Sequence, residues 1–324
     1  MKSLDELIDE FNHKIEEPVF PKEPKNLYQP ANYILQLGGK RIRPVLCLMG
    51  HELFRPITAQ VFHAAKALEV FHNFTLVHDD IMDEAPLRRG KSTVHKKYGS
   101  SVAILSGDVM LVQAYDELNK VHTNQKDRLF DIFTQTAREV CEGQQLDLDL
   151  EDLDLEDLKM ADYLHMISLK TSVLLAASLQ IGALIGGADE ESLTHIYSFG
   201  KNVGLAFQIQ DDYLDAFGNT EKFGKQIGGD ILANKKTFLL IKAFELGNEQ
   251  QKNTILSLLE EQNPKEKISG MLTLYGECGV QKWAEEKKQG YIQQAKADIS
   301  RVKVAEERKE ELKKLMHRLF NREN

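Results

Sequence analysis

Residues 61–83 read VFHAAKALEVFHNFTLVHDDIMD, and their spacing decides how the chain folds. Val61, Ala64, Ala65, Leu68, Phe71 and Thr75 recur three and four positions apart, the repeat of a helix with one apolar face. The run ends in Asp79-Asp80-Ile81-Met82-Asp83. Residues four apart share a helix face, so Asp79 and Asp83 stand side by side with Asp80 just around the turn. The pattern returns as Asp211-Asp212-Tyr213-Leu214-Asp215, again closing an apolar-periodic stretch. Carboxylates in the last turn of a helix oppose its macrodipole and repel one another. Building such a cluster twice predicts hard cations between the carboxylates. Mg2+ with a phosphate-bearing substrate completes so open a set of oxygen ligands.

Working outward, the same spacing appears in Leu4, Leu7, Ile8, Phe11 and Ile15, in Leu129, Ile132, Phe133, Thr136, Ala137 and Val140, and in Trp283, Tyr291, Ala295, Ile299 and Val302. Sustained period-two alternation is absent, which predicts essentially no sheet. Breakers such as Pro18 to Pro24, Gly38-Gly39, Gly186-Gly187, Gly218 to Gly229 and Pro264 separate the periodic segments, and no low-complexity linker divides them. The expectation is one all-α domain over residues 1–324, of about ten to thirteen helices.

With 42% hydrophobic residues the 324-residue chain can build a sizeable core. A net charge of -9 lacks the basic excess that neutralising a nucleic-acid backbone requires, so phosphate recognition must be local. The three cysteines, Cys47, Cys141 and Cys278, are scattered, and read as small core residues in a reducing compartment. The acidic N-terminus has no secretory pattern, which predicts a cytoplasmic protein. Ser172 to Gly187 is the longest apolar stretch, shorter than the roughly 18 to 20 residues of a membrane span, and reads as a buried helix.

Cations stand close to both acidic ends. Gly38-Gly39-Lys40-Arg41-Ile42-Arg43-Pro44 reads as a loop between helices, whose glycines let backbone N–H groups approach an anion. Leu87-Arg88-Arg89-Gly90 follows the first cluster; Lys225, Gly228-Gly229-Asp230, Lys235 and Lys236 follow the second. Arg41 and Lys236 read as ordinary surface charges. Lys170-Thr171 opens the buried apolar helix, which places the lysine at a polar cavity. The acidic run Asp147 to Asp157 reads as a solvated face, with Gly143-Gln144-Gln145-Leu146-Asp147 set apart from it.

From about Leu35 to the C-terminus, these blocks resemble, in order, the all-trans isoprenyl diphosphate synthases of the polyprenyl synthetase family. Both aspartate clusters, the Gly39 to Pro44 loop, Leu87 to Gly90, Lys170-Thr171, Phe207-Gln208 and Gly224-Lys225 with Lys235 carry the likeness. The resemblance implies a single helical bundle around a central cavity, a homodimer, and the substrates isopentenyl diphosphate and an allylic prenyl diphosphate. It implies metal ligands at Asp79, Asp83, Asp211, Asp212 and Asp215, with Asp79 and Asp211 also counted as catalytic. It assigns Arg88, Lys170, Thr171, Gln208, Lys225 and Lys235 to the allylic diphosphate, and Lys170, Thr171 and Gln208 to catalysis. Isopentenyl diphosphate falls to Lys40, Arg43, His72 and Arg89. Gly143, Gln144 and Asp147 match a block near the second substrate or the metal shell, Asp108 less closely, while His78 and His95 read as structural.

Product length is expected to depend on the helix before Asp79, where Phe74, Thr75 and then Phe71 line the path of the growing tail. One aromatic at Phe74 beside a small Thr75 resembles geranylgeranyl-type enzymes, with farnesyl diphosphate next and longer polyprenyl products after it. A terpene cyclase is the nearest different reading. It has no need of a second full aspartate motif or of the Lys40, Arg43, His72 and Arg89 set. A regulatory subunit would have lost one of the motifs.

Overall fold

The apolar-periodic run before the first aspartates is a helix from Ala59 to Met82, and Asp83 caps it. The computed structural model describes residues 1–15, 19–218 and 228–320. Lys225 and Gly224 therefore lie outside the described residues. In chain order the helices are α1 Leu4–Ile15, α2 Lys25–Gln36, α3 Ile42–Glu52, α4 Ala59–Met82, α5 Val94–Tyr98, α6 Ser100–Asn119 and α7 Lys126–Asp152. After them come α8 Met160–Ile167, a π-helical turn Ser168–Ser172, α9 Val173–Gly186 and α10 Glu190–Phe217. The remainder is α11 Gly229–Leu232, α12 Phe238–Leu246, α13 Glu249–Leu259, α14 Pro264–Glu277, α15 Val280–Arg301 and α16 Glu306–Phe320.

The chain is all-α, as its periodicity predicts. The sixteen α-helical segments among the described residues exceed the expected number. The surplus comes from pieces such as α5 and α11, too short to carry a period, and from the π turn that parts α8 from α9. The sheet among the described residues is a two-residue antiparallel ribbon, β1 Leu87–Arg88 with β2 Lys91–Ser92, in which Leu87 faces Ser92 and Arg88 faces Lys91. Strands of two residues leave no alternation to read.

Local chemistry sets several helix starts. At α13, Asn248 Oδ1 accepts from the Gln251 N–H and Gln251 Oε1 accepts from the Asn248 N–H, both at 3.0 Å, a capping box. At α14, Asn263 Oδ1 accepts from the Lys265 N–H at 3.1 Å, and Pro264 takes the first helical position, where its missing N–H costs nothing.

Contacts group the residues into two units, each drawn from three stretches of sequence. The first comprises Met1–Thr136, Leu175–Tyr197 and Arg301–Leu315. Within it α3 and α9 touch backbone to backbone: a Cβ on Gly182 would lie 1.9 Å from the Cys47 carbonyl oxygen, so no other residue fits there. The second comprises Ala137–Leu174, Ser198–Ser300 and Met316–Asn324. Its core gathers Tyr163, Phe238, Ile255, Met271 and Tyr275, with the Phe238 ring 6.1 Å from Tyr163 and 5.5 Å from Trp283.

Two expectations change. Cys47 is buried and Cys278 half-buried, but Cys141 is exposed on α7 and is no core residue. The apolar stretch judged too short to span a bilayer is continuous with α8, giving a helical run Met160–Gly186 of 27 residues, long and apolar enough by composition. Of its most apolar window 78% is buried, which is how a core helix behaves.

Candidate active site

The candidate residues fall into two groups, one in each unit. In the first unit the loop between α2 and α3 turns through Gly38 and Gly39, at φ +77° and +143°, and then through Arg41, at φ +50°. The left-handed Arg41 sends its side chain inward. It is buried, ion-paired to Glu69 of α4, and donates from NH2 to the Leu35 carbonyl at 2.9 Å. Arg41 is thus a buried strut and not a surface charge. The sign in the sequence was Glu69, a carboxylate in the middle of an apolar helix, which needs a buried cation. Asn73 Nδ2 also donates to Glu69 Oε1, at 3.1 Å.

With Glu69 committed, Arg43 and Arg89 are left as a cationic pair. Arg43 lies 3.0 Å from His72 Nε2, and its buried Nε has no hydrogen-bond partner. Burial, helped by repulsion from Arg89 and opposed by the charge of Glu69, lowers the Arg43 guanidinium to about 10. Burial and the charges of Arg43, Arg89, Arg88 and Arg41 push His72 well below its ordinary value, so its neutral ring accepts from Arg43. Arg89 lies at the ribbon turn and donates to the Gly38 carbonyl, with its guanidinium against Gly39, where a Cβ would come within 2.8 Å of it. Lys40 is exposed on the same loop. Crowded cations that depress one another are a place where an anion is stabilised.

The ribbon carries Arg88 the other way. Its Nε lies 2.8 and 2.9 Å from the two oxygens of buried Asp80, and its NH2 lies 3.6 Å from Asp79 Oδ2. Asp83 is exposed at the helix cap. Along α4, Phe71, Phe74 and His78 form one aromatic row: Phe74 is 4.8 Å from the His78 ring and 5.6 Å from Phe71, which meets Phe133 of α7 at 5.3 Å. Thr75 lies on the neighbouring face and donates its hydroxyl to the His72 carbonyl at 2.8 Å. His95 is buried as expected, and His78 contacts the Ile104 carbonyl at 3.1 Å and exposed Asp108 at 3.9 Å.

In the second unit, the last turns of α10 carry Gln208, Asp211, Asp212 and Asp215. Asp211 is exposed. Asp212 is buried, accepts from the Tyr163 hydroxyl, and accepts from Gln208 Nε2 at 2.8 Å. Burial, with repulsion from Asp230 and Asp211, pushes its carboxyl up to about 7 despite those hydrogen bonds. Asp215 Oδ2 accepts the Asp230 N–H at 2.9 Å. Tyr163 was not singled out from the sequence, because a tyrosine on an apolar helix looks like any core aromatic.

Lys170 and Thr171 sit in the π turn, both partly buried, and Lys170 Nζ contacts Asp147 Oδ2 at 2.5 Å. Lys235 is exposed. Lys236 is not an ordinary surface charge, since its ammonium donates to the carbonyls of Glu151, at 2.7 Å, and Leu153, at the end of α7. A cation there answers the carbonyls that a helix terminus leaves open.

No three His, Cys, Asp or Glu side chains among the described residues converge as a ready-made metal cage. The donors at each acidic end still suit Mg2+: Asp79 and Asp83 in the first unit, and Asp211 and Asp215 in the second, offer hard carboxylate oxygens, and that ion keeps several waters and substrate oxygens in its shell. Asp80 and Asp212, by contrast, are engaged inside the protein.

The family description "polyprenyl synthetase" matches residues 24–274. The chain is 41% identical over 241 residues to a short chain isoprenyl diphosphate synthase of Methanocaldococcus jannaschii, covering 74% of this chain and 73% of that one. It is 38% identical over 290 residues to a geranylgeranyl pyrophosphate synthase of Geoglobus acetivorans, covering 89% and 88%. A crystal structure of a geranylgeranyl pyrophosphate synthase superimposes with a TM-score of 0.94 at 43% identity, covering 100% of both chains.

Proposed function

Because the chain belongs to the polyprenyl synthetase family, and is a prenyltransferase that makes short-chain prenyl diphosphates, we propose a division of labour among its residues. Arg88, Lys170, Lys225 and Lys235 bind the allylic diphosphate. Asp79, Asp83, Asp211 and Asp215 would supply the carboxylates for the Mg2+ that accompanies it. When bound, Mg2+ neutralises charge that develops on the leaving diphosphate as the allylic C–O bond breaks. Lys40, Arg43, His72 and Arg89 bind isopentenyl diphosphate without metal. Its double bond then attacks carbon one of the allylic cation, and loss of a proton to the departing diphosphate completes a five-carbon extension.

Thr171 and Gln208 face that cation. With Gln208 Nε2 tied to Asp212, its carbonyl oxygen is the end left to stabilise positive charge. The observation that best supports this reading is the Arg43 and His72 pair. It combines an unsatisfied buried guanidinium N–H, a neutral imidazole and a second arginine, with no carboxylate among the three.

The product we propose is geranylgeranyl diphosphate, with farnesyl diphosphate next, since Phe74 supplies a single bulky wall beside the small Thr75. We infer a homodimer, with α6 as its candidate face, since Ile104, Leu105 and Val112 are 46%, 58% and 58% exposed on that one helix. A cytoplasmic location accords with the free, scattered cysteines. The deciding experiment supplies purified protein with Mg2+, isopentenyl diphosphate and dimethylallyl, geranyl or farnesyl diphosphate in turn. Chromatography of the dephosphorylated alcohols gives starter and length together, and absence of any condensation product would reject the assignment.

A further inference from the structure

Gly143 and Asp147 stand one turn apart on α7, and both meet the π-helical turn that carries Lys170. A Cβ on Gly143 would lie 2.2 Å from the Lys170 backbone nitrogen, so only glycine allows this approach. On the other side, a Cβ on Gly204 of α10 would lie 2.8 Å from Ser172 Cα. The wide turn is therefore in close contact with two helices, at a place where the extra residue of a π turn often marks function. One turn along α7 from Gly143, Asp147 Oδ2 takes the Lys170 ammonium at 2.5 Å. Glycine seats the backbone and aspartate holds the side chain.

Each partner of that ion pair retains 25% side-chain exposure, so a solute can reach the ammonium without the pair being dismantled. An ammonium has three N–H donors and can serve a carboxylate and a phosphate oxygen together. Asp147 then stays beside the bound diphosphate, and like charges repel.

We propose that Asp147 is a positioning residue with a second effect: it aims Lys170 at the diphosphate while keeping the affinity of the site for diphosphate low enough for release. The inference rests on the reading that Lys170 contacts that group. The leaving diphosphate is a product of every extension, and a lysine without a counter-charge would hold it longer.

The test is titration calorimetry of Mg2+ and inorganic pyrophosphate into wild-type protein, Asp147→Asn and Lys170→Ala, alongside steady-state kinetics. Asp147→Asn is expected to bind pyrophosphate about 3- to 10-fold more tightly, as loss of one nearby negative charge in a partly screened site allows. Its KM for the allylic substrate falls and its kcat falls with it. Unchanged or weaker pyrophosphate binding by Asp147→Asn, while Lys170→Ala weakens it, would overturn the proposal alone. Wild-type affinity in Lys170→Ala would instead remove the underlying assignment of Lys170. Asp147→Ser, neutral and smaller, supplies the same comparison should the asparagine variant not fold.

Discussion

Arg88 clasps Asp80 through both carboxylate oxygens, at 2.8 and 2.9 Å from its Nε, although Asp80 belongs to the acidic end for which we propose a metal role. Asp212 is engaged in the same manner by Tyr163 and Gln208. In both motifs the second aspartate is thus held by hydrogen bonds from the protein itself, and the metal role we propose falls chiefly to the first and last.

Asp80→Ala strips Arg88 of its two-oxygen partner and leaves it the longer contact with Asp79 at 3.6 Å, and removing one member of such a pair costs about 3 kcal/mol. Asp83→Ala, at an exposed cap, should change stability by no more than about 0.5 kcal/mol while lowering turnover on the order of 100-fold. Denaturant titration and steady-state kinetics on the two variants check both halves. Equal stability losses would contradict the distinction.

Asp79→Ala should abolish turnover even at saturating Mg2+, and chelation of the wild-type protein should do the same until Mg2+ is restored. Near-wild-type turnover in Asp79→Ala rejects the proposed role of the first motif.

Phe74 lies between His78 and Phe71 in the aromatic row of α4, so Phe74→Ala opens space toward Phe71 and Phe133. Longer products should appear by at least one five-carbon unit. An unchanged product distribution places the floor elsewhere.

His72 is held well below its ordinary value, first by burial and then by Arg43 and Arg89, and a bound diphosphate would supply the opposite charge. Isopentenyl diphosphate should therefore bind with net proton uptake by this ring at pH values below the ordinary histidine range, seen by calorimetry in buffers of different ionisation enthalpy. His72→Gln should remove the uptake, and no uptake in the wild type would place the anion away from this ring.

His51, fully buried, is lowered to about 4 by burial and by Arg55. Its folded value lies below its unfolded one, so the unfolded chain takes the proton first as pH falls. Stability is complete above about pH 6.5 and declines from there toward pH 4, by up to roughly 3 kcal/mol from this residue. His51→Gln should flatten the fall in Tm between pH 7 and 5.

The all-α class and both aspartate ends were legible because they rest on spacing along one helix, which sequence preserves. The inward turn of Arg41 was not, since it depends on a left-handed backbone and on Glu69, 28 positions away. Lys236 likewise caps carbonyls more than eighty positions earlier in the chain. The ribbon was too short to show a period, and the π turn hides inside an apolar run whose composition suits an ordinary helix. Tyr163 shows the same limit, because its hydroxyl is distinguished only by Asp212, 49 positions on.

The ribbon also sorts two adjacent arginines to different destinations: Arg88 to Asp80, and Arg89, one position later at the turn, to the Gly38 carbonyl. That sorting depends on counting, because a slip of one residue in a strand exchanges what its two sides present. Residues 84–87, between Asp83 and the two arginines, should accept new residue types far more readily than a new length. Adding a single position there would bring Arg88 to the address of Arg89, and deleting one would bring Arg89 to the address of Arg88.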